Sequence, residues 1–239
     1  MTINKARVVI LGGTSGIGLA TAQAAAAAGA TVVVASSRQS SVDRALAVLP
    51  DGSEGTVLNV GDSAALRAFF DRVGPFDHLV YTAGENLSLV TLEDYDIDAA
   101  RTFFDLRFFS AVEAAHFAVP HLNEGGSIVF MSGSAAIRPG AGWMLGAAVS
   151  AAAIAVTKAL AIELAPIRVN AIAPGVVRSP LWESMSTDDQ GAMYDGLAAS
   201  LPLGRVAEVE DVAKSIVYAL DQNYTTGTVT VIDGGSVLV

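Results

Sequence analysis

Apolar positions along the 239-residue chain alternate between two textures. Short runs of Val, Ile and Leu, of strand character, occupy 7–11, 31–35, 55–60, 78–83, 127–132, 168–173 and 228–232. Between them apolar residues recur at helical spacing, near 17–28, 41–49, 63–73, 99–122, 145–165 and 208–221. Strands separated by helices predict an α/β domain whose parallel sheet is wound on both faces by right-handed crossovers. No stretch reads as a linker and no repeat exceeds the βα unit, so residues 1–239 are expected to form one domain. The alanine run at 24–28 reads as a helix whose small side chains allow close packing on the sheet. Helices 99–122 and 145–165 carry small and apolar residues on more than one face, which predicts burial on every side. Packing on the sheet covers only one side of each, so a homodimer or homotetramer is expected. The apolar tail at 236–239 suits docking at such an interface.

Composition narrows the choice of partner. Apolar residues make up 52% and charged ones 16%, which excludes disorder, and the net charge of −10 argues against nucleic acid or an anionic membrane. The absence of cysteine removes disulfides, thiol catalysis and cysteine metal sites, and three scattered histidines have no ligand spacing. Residues 1–5 resemble no signal peptide, and no apolar segment reads as long and unbroken enough to span a bilayer. A soluble cytoplasmic protein acting on a small molecule is the expectation.

The chemistry starts where the first strand ends in Gly12-Gly13-Thr14-Ser15-Gly16-Ile17-Gly18. A strand, a tight glycine turn and a helix N-terminus leave unpaired amides and a positive dipole end, which favour an anion such as a pyrophosphate. Gly12, Thr14, Ser15, Gly16, Ile17 and Gly18 are therefore candidate cofactor contacts. The second strand runs into Ser36-Ser37-Arg38, with no carboxylate before Asp43. An acidic residue here would bind the ribose 2′-hydroxyl of NAD, whereas two hydroxyls and an arginine suit a 2′-phosphate. NADP(H) is thus favoured over NAD(H), the alternative being a solvated loop arginine. Asn59, with Val60, stands at the end of the third strand and suits an adenine ring, or Asn59 and Asp62 cap the next helix.

Several segments together resemble the short-chain dehydrogenase/reductase family: residues 12–18, Tyr81-Thr82-Ala83-Gly84, Ile167-Arg168-Val169-Asn170 with Pro174-Gly175, residues 201–205, and Ile232-Asp233-Gly234-Gly235. They follow the family's order over nearly the whole chain. The resemblance implies a Rossmann-type three-layer αβα sandwich with seven parallel strands, a nicotinamide cofactor, and a homo-oligomer. It adds Ala83, Gly84, Pro174, Gly175, Val177 and Ser179 to the cofactor contacts, with Ser179 where the family commonly binds the carboxamide. Independently, a strand followed by Pro-Gly must turn at the sheet's carboxyl edge, where open α/β sheets bind ligands. Residues 180–203, with Trp182, Met185, Met193 and Tyr194, read either as a lid over an apolar pocket or as surface helices packed on the body.

The resemblance fails at the reacting groups. The family's chemistry ordinarily rests on a serine and a Tyr-x-x-x-Lys pair. In register, the tyrosine falls on Gly146, the lysine on Ser150 and the serine on Gly133, between Ser132 and Ser134. Lys158 lies two helical turns too far on. Arg107 stands near the place of the family's active-site asparagine. Two readings are open. In the first, an oxidoreductase moves hydride to or from a small or medium apolar carbonyl or alcohol substrate, with a relocated acid. Ser132 and Ser134 then offer hydroxyls, Arg107 a fixed positive charge and Tyr81 a proton; Glu85, His116 and Arg138 are weaker candidates. In the second, the protein binds NADP(H) without turnover, as a sensor or assembly partner.

Overall fold

The computed structural model describes residues 3–84, 86–87 and 89–239. Seven strands form one parallel sheet: β1 (Arg7–Leu11), β2 (Thr31–Ser36), β3 (Glu54–Val57), β4 (Phe76–Tyr81), β5 (Leu122–Met131), β6 (Arg168–Pro174) and β9 (Val229–Ile232). Their order is β3-β2-β1-β4-β5-β6-β9, and each neighbouring pair is parallel. The chain moves outward from β1 to β3, then returns to place β4 on β1's other side. The connections therefore diverge between β1 and β4 and open a crevice at their carboxyl ends.

Strand parity divides the core into two layers. Val8, Ile10, Val32, Val34, Val80, Val129 and Ile172 pack against α1 (Gly16–Ala27), α2 (Gln39–Leu46) and α8 (Val209–Asp221). Their alternates Val9, Leu11, Val33, Leu79, Tyr81, Ile128 and Phe130 face α3 (Ser63–Val73), α5 (Ser110–Ala118) and part of α6 (Met144–Glu163). Burying a Val, Leu, Ile or Phe side chain contributes about 1.5–3 kcal/mol, so both faces contribute heavily to stability.

The helix expected over 99–122 is broken. Helix α4 (Ile97–Phe104) runs into a wide π turn, Asp105–Phe109, before α5 begins, and the segment after Ala118 tightens and enters β5 at Leu122. A π turn inserts one residue and rotates the helix beyond it, and it falls on Arg107. Helix α6 corrects a second expectation. Its 20 residues, with mean hydropathy 1.9, are long and apolar enough by composition alone to cross a membrane. Val149, Ser150, Ala153, Thr157 and Ala161 nonetheless bury one stripe of it, which packs on β6 and β5.

Residues 180–203 hold a short helical turn, Pro180–Trp182, and α7 (Thr187–Ser200). Two short paired strands, β7 (Val177–Arg178) and β8 (Ala207–Glu208), close the base of this segment. Trp182, Tyr194 and Val206 form a small core with Met185, Met193 and Leu197, reaching Leu87 and Trp143 of the body. The indole of Trp182 donates to the Val177 carbonyl at 3.1 Å, and Arg178 lies 4.3 Å above the Tyr194 ring. The segment thus packs on the body while also covering the crevice.

Candidate active site

The crevice is a cleft of about 1770 Å³ along the carboxyl ends of the strands. All the cofactor contacts expected from the sequence line it: Gly12, Thr14, Ser15, Gly16, Ile17 and Gly18; Ser36, Ser37 and Arg38; Asn59 and Val60; Ala83 and Gly84; Pro174, Gly175, Val177 and Ser179. Small-molecule pockets usually measure about 300–1,000 Å³, so this one has room for a dinucleotide and a second ligand.

At one end β1 gives way to α1. Gly12 has φ +84°, and a Cβ there would stand 2.6 Å from the Ala83 nitrogen, so only glycine lets the two strand ends close up. Gly18 meets the other side of the turn: a Cβ would lie 2.1 Å from the Gly12 oxygen. No side chain caps α1 and no acidic residue occupies its first turn. Its first amides are therefore open to an anion, which fits a dinucleotide pyrophosphate. Arg38 and Ser37 are exposed at the end of β2. Asn59 plays part of its local role, its side chain accepting from the Gly61 amide at 3.1 Å, while Asp62 caps α3 through the Ala65 amide at 3.0 Å.

The reacting end collects residues from β4, the π turn, β5 and α6. Arg107 lies against Gly84, where a Cβ would meet its guanidinium at 2.9 Å, and over the Phe103 ring at 4.8 Å. Ser132, Gly133 and Ser134 line the opposite wall. The Ser132 hydroxyl donates to the Ser150 carbonyl at 2.9 Å, so its proton holds α6 to the end of β5. Ser134 opens a short helical turn, Ser134–Ala136, and faces the cleft.

Tyr81 stands behind the cleft wall, where it borders a small cavity that Arg107 and Ser132 also line. It is 2% exposed, does not line the cleft, and its hydroxyl donates to the Leu106 carbonyl at 2.5 Å. Burial pushes its pKa well above the ordinary tyrosine value. His116 lines the cleft, but one turn beyond Glu113, whose carboxylate accepts from Ser63 on α3 at 2.6 Å. That puts it on the α3 side of the cleft, away from Ser132 and Ser134. Arg138 sits at the mouth, donating to the Ser236 carbonyl at 3.4 Å. Lys158 is exposed on α6, and Glu85 falls outside the described residues.

Three lining residues carry more than the sequence reading gave them. Trp143, at the start of α6, meets Trp182 edge-on with ring centres 6.1 Å apart, making an aromatic wall. Gly146 and Ser150, noted in the sequence only as places where a reacting pair is missing, both line the cleft. A Cβ on Gly146 would find only the Trp143 ring within reach, at 3.7 Å.

Known proteins are similar to this chain in sequence and fold. The family model described as enoyl-(acyl carrier protein) reductase matches residues 12–237. The short-chain dehydrogenase/reductase ATR9 of Stachybotrys chlorohalonatus is 35% identical over 253 residues, covering 99% of each chain. The short-chain dehydrogenase/reductase ucsE of an Acremonium species is 34% identical, covering 99% of this chain and 97% of its own. A small-chain dehydrogenase crystallised with NADPH superposes with a TM-score of 0.87 at 36% identity, covering 99% of this chain and 100% of the other. The chain belongs to the short-chain dehydrogenase/reductase family of oxidoreductases.

Proposed function

We propose that the protein is an NADP(H)-dependent oxidoreductase that transfers hydride to or from a small or medium apolar carbonyl or alcohol substrate, using a non-standard active site. One observation carries this reading: a single cleft at the switch point is lined by the open amides of α1, by Ser36, Ser37 and Arg38, and by Arg107 and Ser134. The solved small-chain dehydrogenase that binds NADPH gives it further support.

In this account the α1 amides hold the pyrophosphate, Arg38 with Ser36 and Ser37 holds the 2′-phosphate, and Asn59 and Val60 border the adenine. Ala83, Gly84, Pro174, Gly175, Val177 and Ser179 bound the nicotinamide end. When bound, the nicotinamide supplies or accepts the hydride. The fixed charge of Arg107 stabilises the substrate oxygen as negative charge builds on it, and Ser134 adds a hydroxyl. Residues 180–203 act as a lid, with Trp143 and Trp182 selecting apolar substrates. Helices α4 to α6 expose Ile97, Phe109, Met144 and Ile162, which suits a second copy of the chain.

NADPH oxidation against a panel of ketones, aldehydes and quinones, run beside direct NADPH binding, tests the reading. Turnover is expected, and Arg107→Ala should lower kcat by about 10²–10³-fold, the usual loss for one oxyanion donor. Binding without turnover on any member would select the second reading, an NADP(H)-binding protein without catalysis. The bare Gly146, which brings no side chain to the cleft at the place where the family's tyrosine was expected, favours that reading.

A further inference from the structure

Ser150 carries a hydroxyl that no described residue engages. It lies in the second turn of α6, is 9% exposed, and lines both the main cleft and a small cavity of about 80 Å³ behind it. Buried hydroxyls elsewhere in these helices bond back to the carbonyl four residues earlier: Thr157 to Ala153 at 2.7 Å, and Thr21 to Ile17 at 2.8 Å. Ser150 makes no such bond, although its backbone is held by the Ser132 hydroxyl at 2.9 Å. Its Oγ instead points at Gly133, standing 3.0 Å from where a Cβ on that glycine would be. The space it faces exists because residue 133 has no side chain. Arg107 and Ser132 border the same small cavity.

Among the described residues the fully buried unpartnered side-chain atoms do not include the Ser150 Oγ, so this hydroxyl is reached from the cleft, where a ligand oxygen can take the place of water as its partner. Resting on the oxidoreductase reading, we propose that Ser150 donates a hydrogen bond to the substrate's carbonyl oxygen, opposite Arg107, and is a catalytic residue. As hydride from the reduced nicotinamide reaches the carbonyl carbon, the C=O π pair moves to oxygen. The Ser150 hydroxyl and the Arg107 guanidinium stabilise that alkoxide until it takes a proton from water. Ser132 is a positioning residue, because its hydrogen bond to the Ser150 carbonyl sets where α6 presents Ser150.

The test uses the full chain with NADPH and phenanthrenequinone, and separately measures binding of 1-naphthoate, an oxyanion on an apolar ring, by calorimetry. Ser150→Ala should lower kcat by about 10–100-fold with little change in KM and weaken naphthoate several-fold, with the melting temperature retained. Gly133→Ser alone crowds Ser150 and should also lose activity. Gly133→Ser with Ser150→Ala moves the hydroxyl across the gap, and should recover most of what Ser150→Ala loses. Unchanged kcat and unchanged naphthoate affinity in Ser150→Ala overturn the proposal, as does failure of the double variant to exceed Ser150→Ala. If the parent does not oxidise NADPH with any carbonyl compound, the oxidoreductase reading fails. The naphthoate comparison still decides whether Ser150 is an oxygen-binding group.

Discussion

Replacing Gly18 by alanine tests how the nucleotide cradle is built. The residue sits in the first turn of α1, and the new Cβ would lie 2.1 Å from the Gly12 oxygen and 2.6 Å from Thr82 Oγ1. Ordinary contact is well over 3 Å, so α1 must retreat from β1 by on the order of 1 Å, in an interior too dense to absorb it. Overpacking of this kind costs about 1–3 kcal/mol. Alanine's better helix propensity returns at most about 1 kcal/mol, so the clash dominates. In a protein of this size each kcal/mol shifts Tm by roughly 2–4 °C, which predicts a fall of several degrees, up to roughly 12 °C. The retreat also moves the open amides away from the pyrophosphate. Thermal melts with and without saturating NADPH read both effects, since a ligand bound to the native state raises Tm with its concentration over Kd. Gly52→Ala is the control, because Gly52 also has positive φ (+91°) but no atom within 4 Å of its added Cβ. It should lower Tm through backbone strain and keep the full NADPH-induced rise. A Gly18→Ala protein with the parent's Tm and the parent's NADPH response would refute the cradle geometry.

Three further outcomes rest on specific groups. Arg38→Asp should weaken NADPH by about 10-fold or more and favour NADH, measured by paired titrations, because a carboxylate repels the 2′-phosphate and accepts from a 2′-hydroxyl. Burial, with help from Arg168, lowers the His78 pKa from 6.5 to about 4, and its Nδ1 lies 2.9 Å from the Ser127 hydroxyl. The unfolded chain therefore binds a proton first: stability from neutral His78 is complete above pH 6.5 and falls away between there and pH 4, by about 3 kcal/mol. Urea melts across that range should show this loss in the parent and a shallower one in His78→Asn. Arg205 and the Glu208 amide hold the Asp211 pKa down to about 2, and Asp211 closes the capping box of α8. Asp211→Ala should cost about 0.5–2 kcal/mol at neutral pH. As pH falls from 3.8 to 2 the parent loses its advantage as the carboxylate protonates, which pH-dependent melts check.

The sheet, and which residues line the cleft where β1 and β2 end, were legible because they depend on local signals: β-branched runs, a glycine turn, and an arginine at the end of β2. Arg7–Leu11 and Ser63–Val73 fall where expected, and the other expected elements shift by a few residues at their ends, apart from the helix over 99–122, which is broken. The reacting end was harder to read. Nothing in the apolar pattern of 99–122 marks the π turn at Asp105–Phe109, since one inserted residue leaves the periodicity almost intact. Tyr81 ends a strand, which suggests the cleft, yet it shares parity with Leu79 and so points into the α3 and α5 layer. Alternation along β4 is the signal that places it behind the cleft wall, on the small cavity it shares with Arg107 and Ser132. Ser132 is a donor as expected, but its proton goes to a backbone carbonyl, which only three-dimensional contact reveals. Ser150 and Trp143 face the cleft because of α6's rotation about its axis, set by burial of Val149, Ala153 and Thr157.

A crystal structure of the protein soaked with NADPH tests the central claim most directly. The account predicts the pyrophosphate against the open amides of Gly16, Ile17 and Gly18, and the 2′-phosphate on Arg38. The nicotinamide should lie between Gly175 and Arg107. A nucleotide bound elsewhere, or a cleft that stays closed to NADPH at saturating concentration, would contradict it.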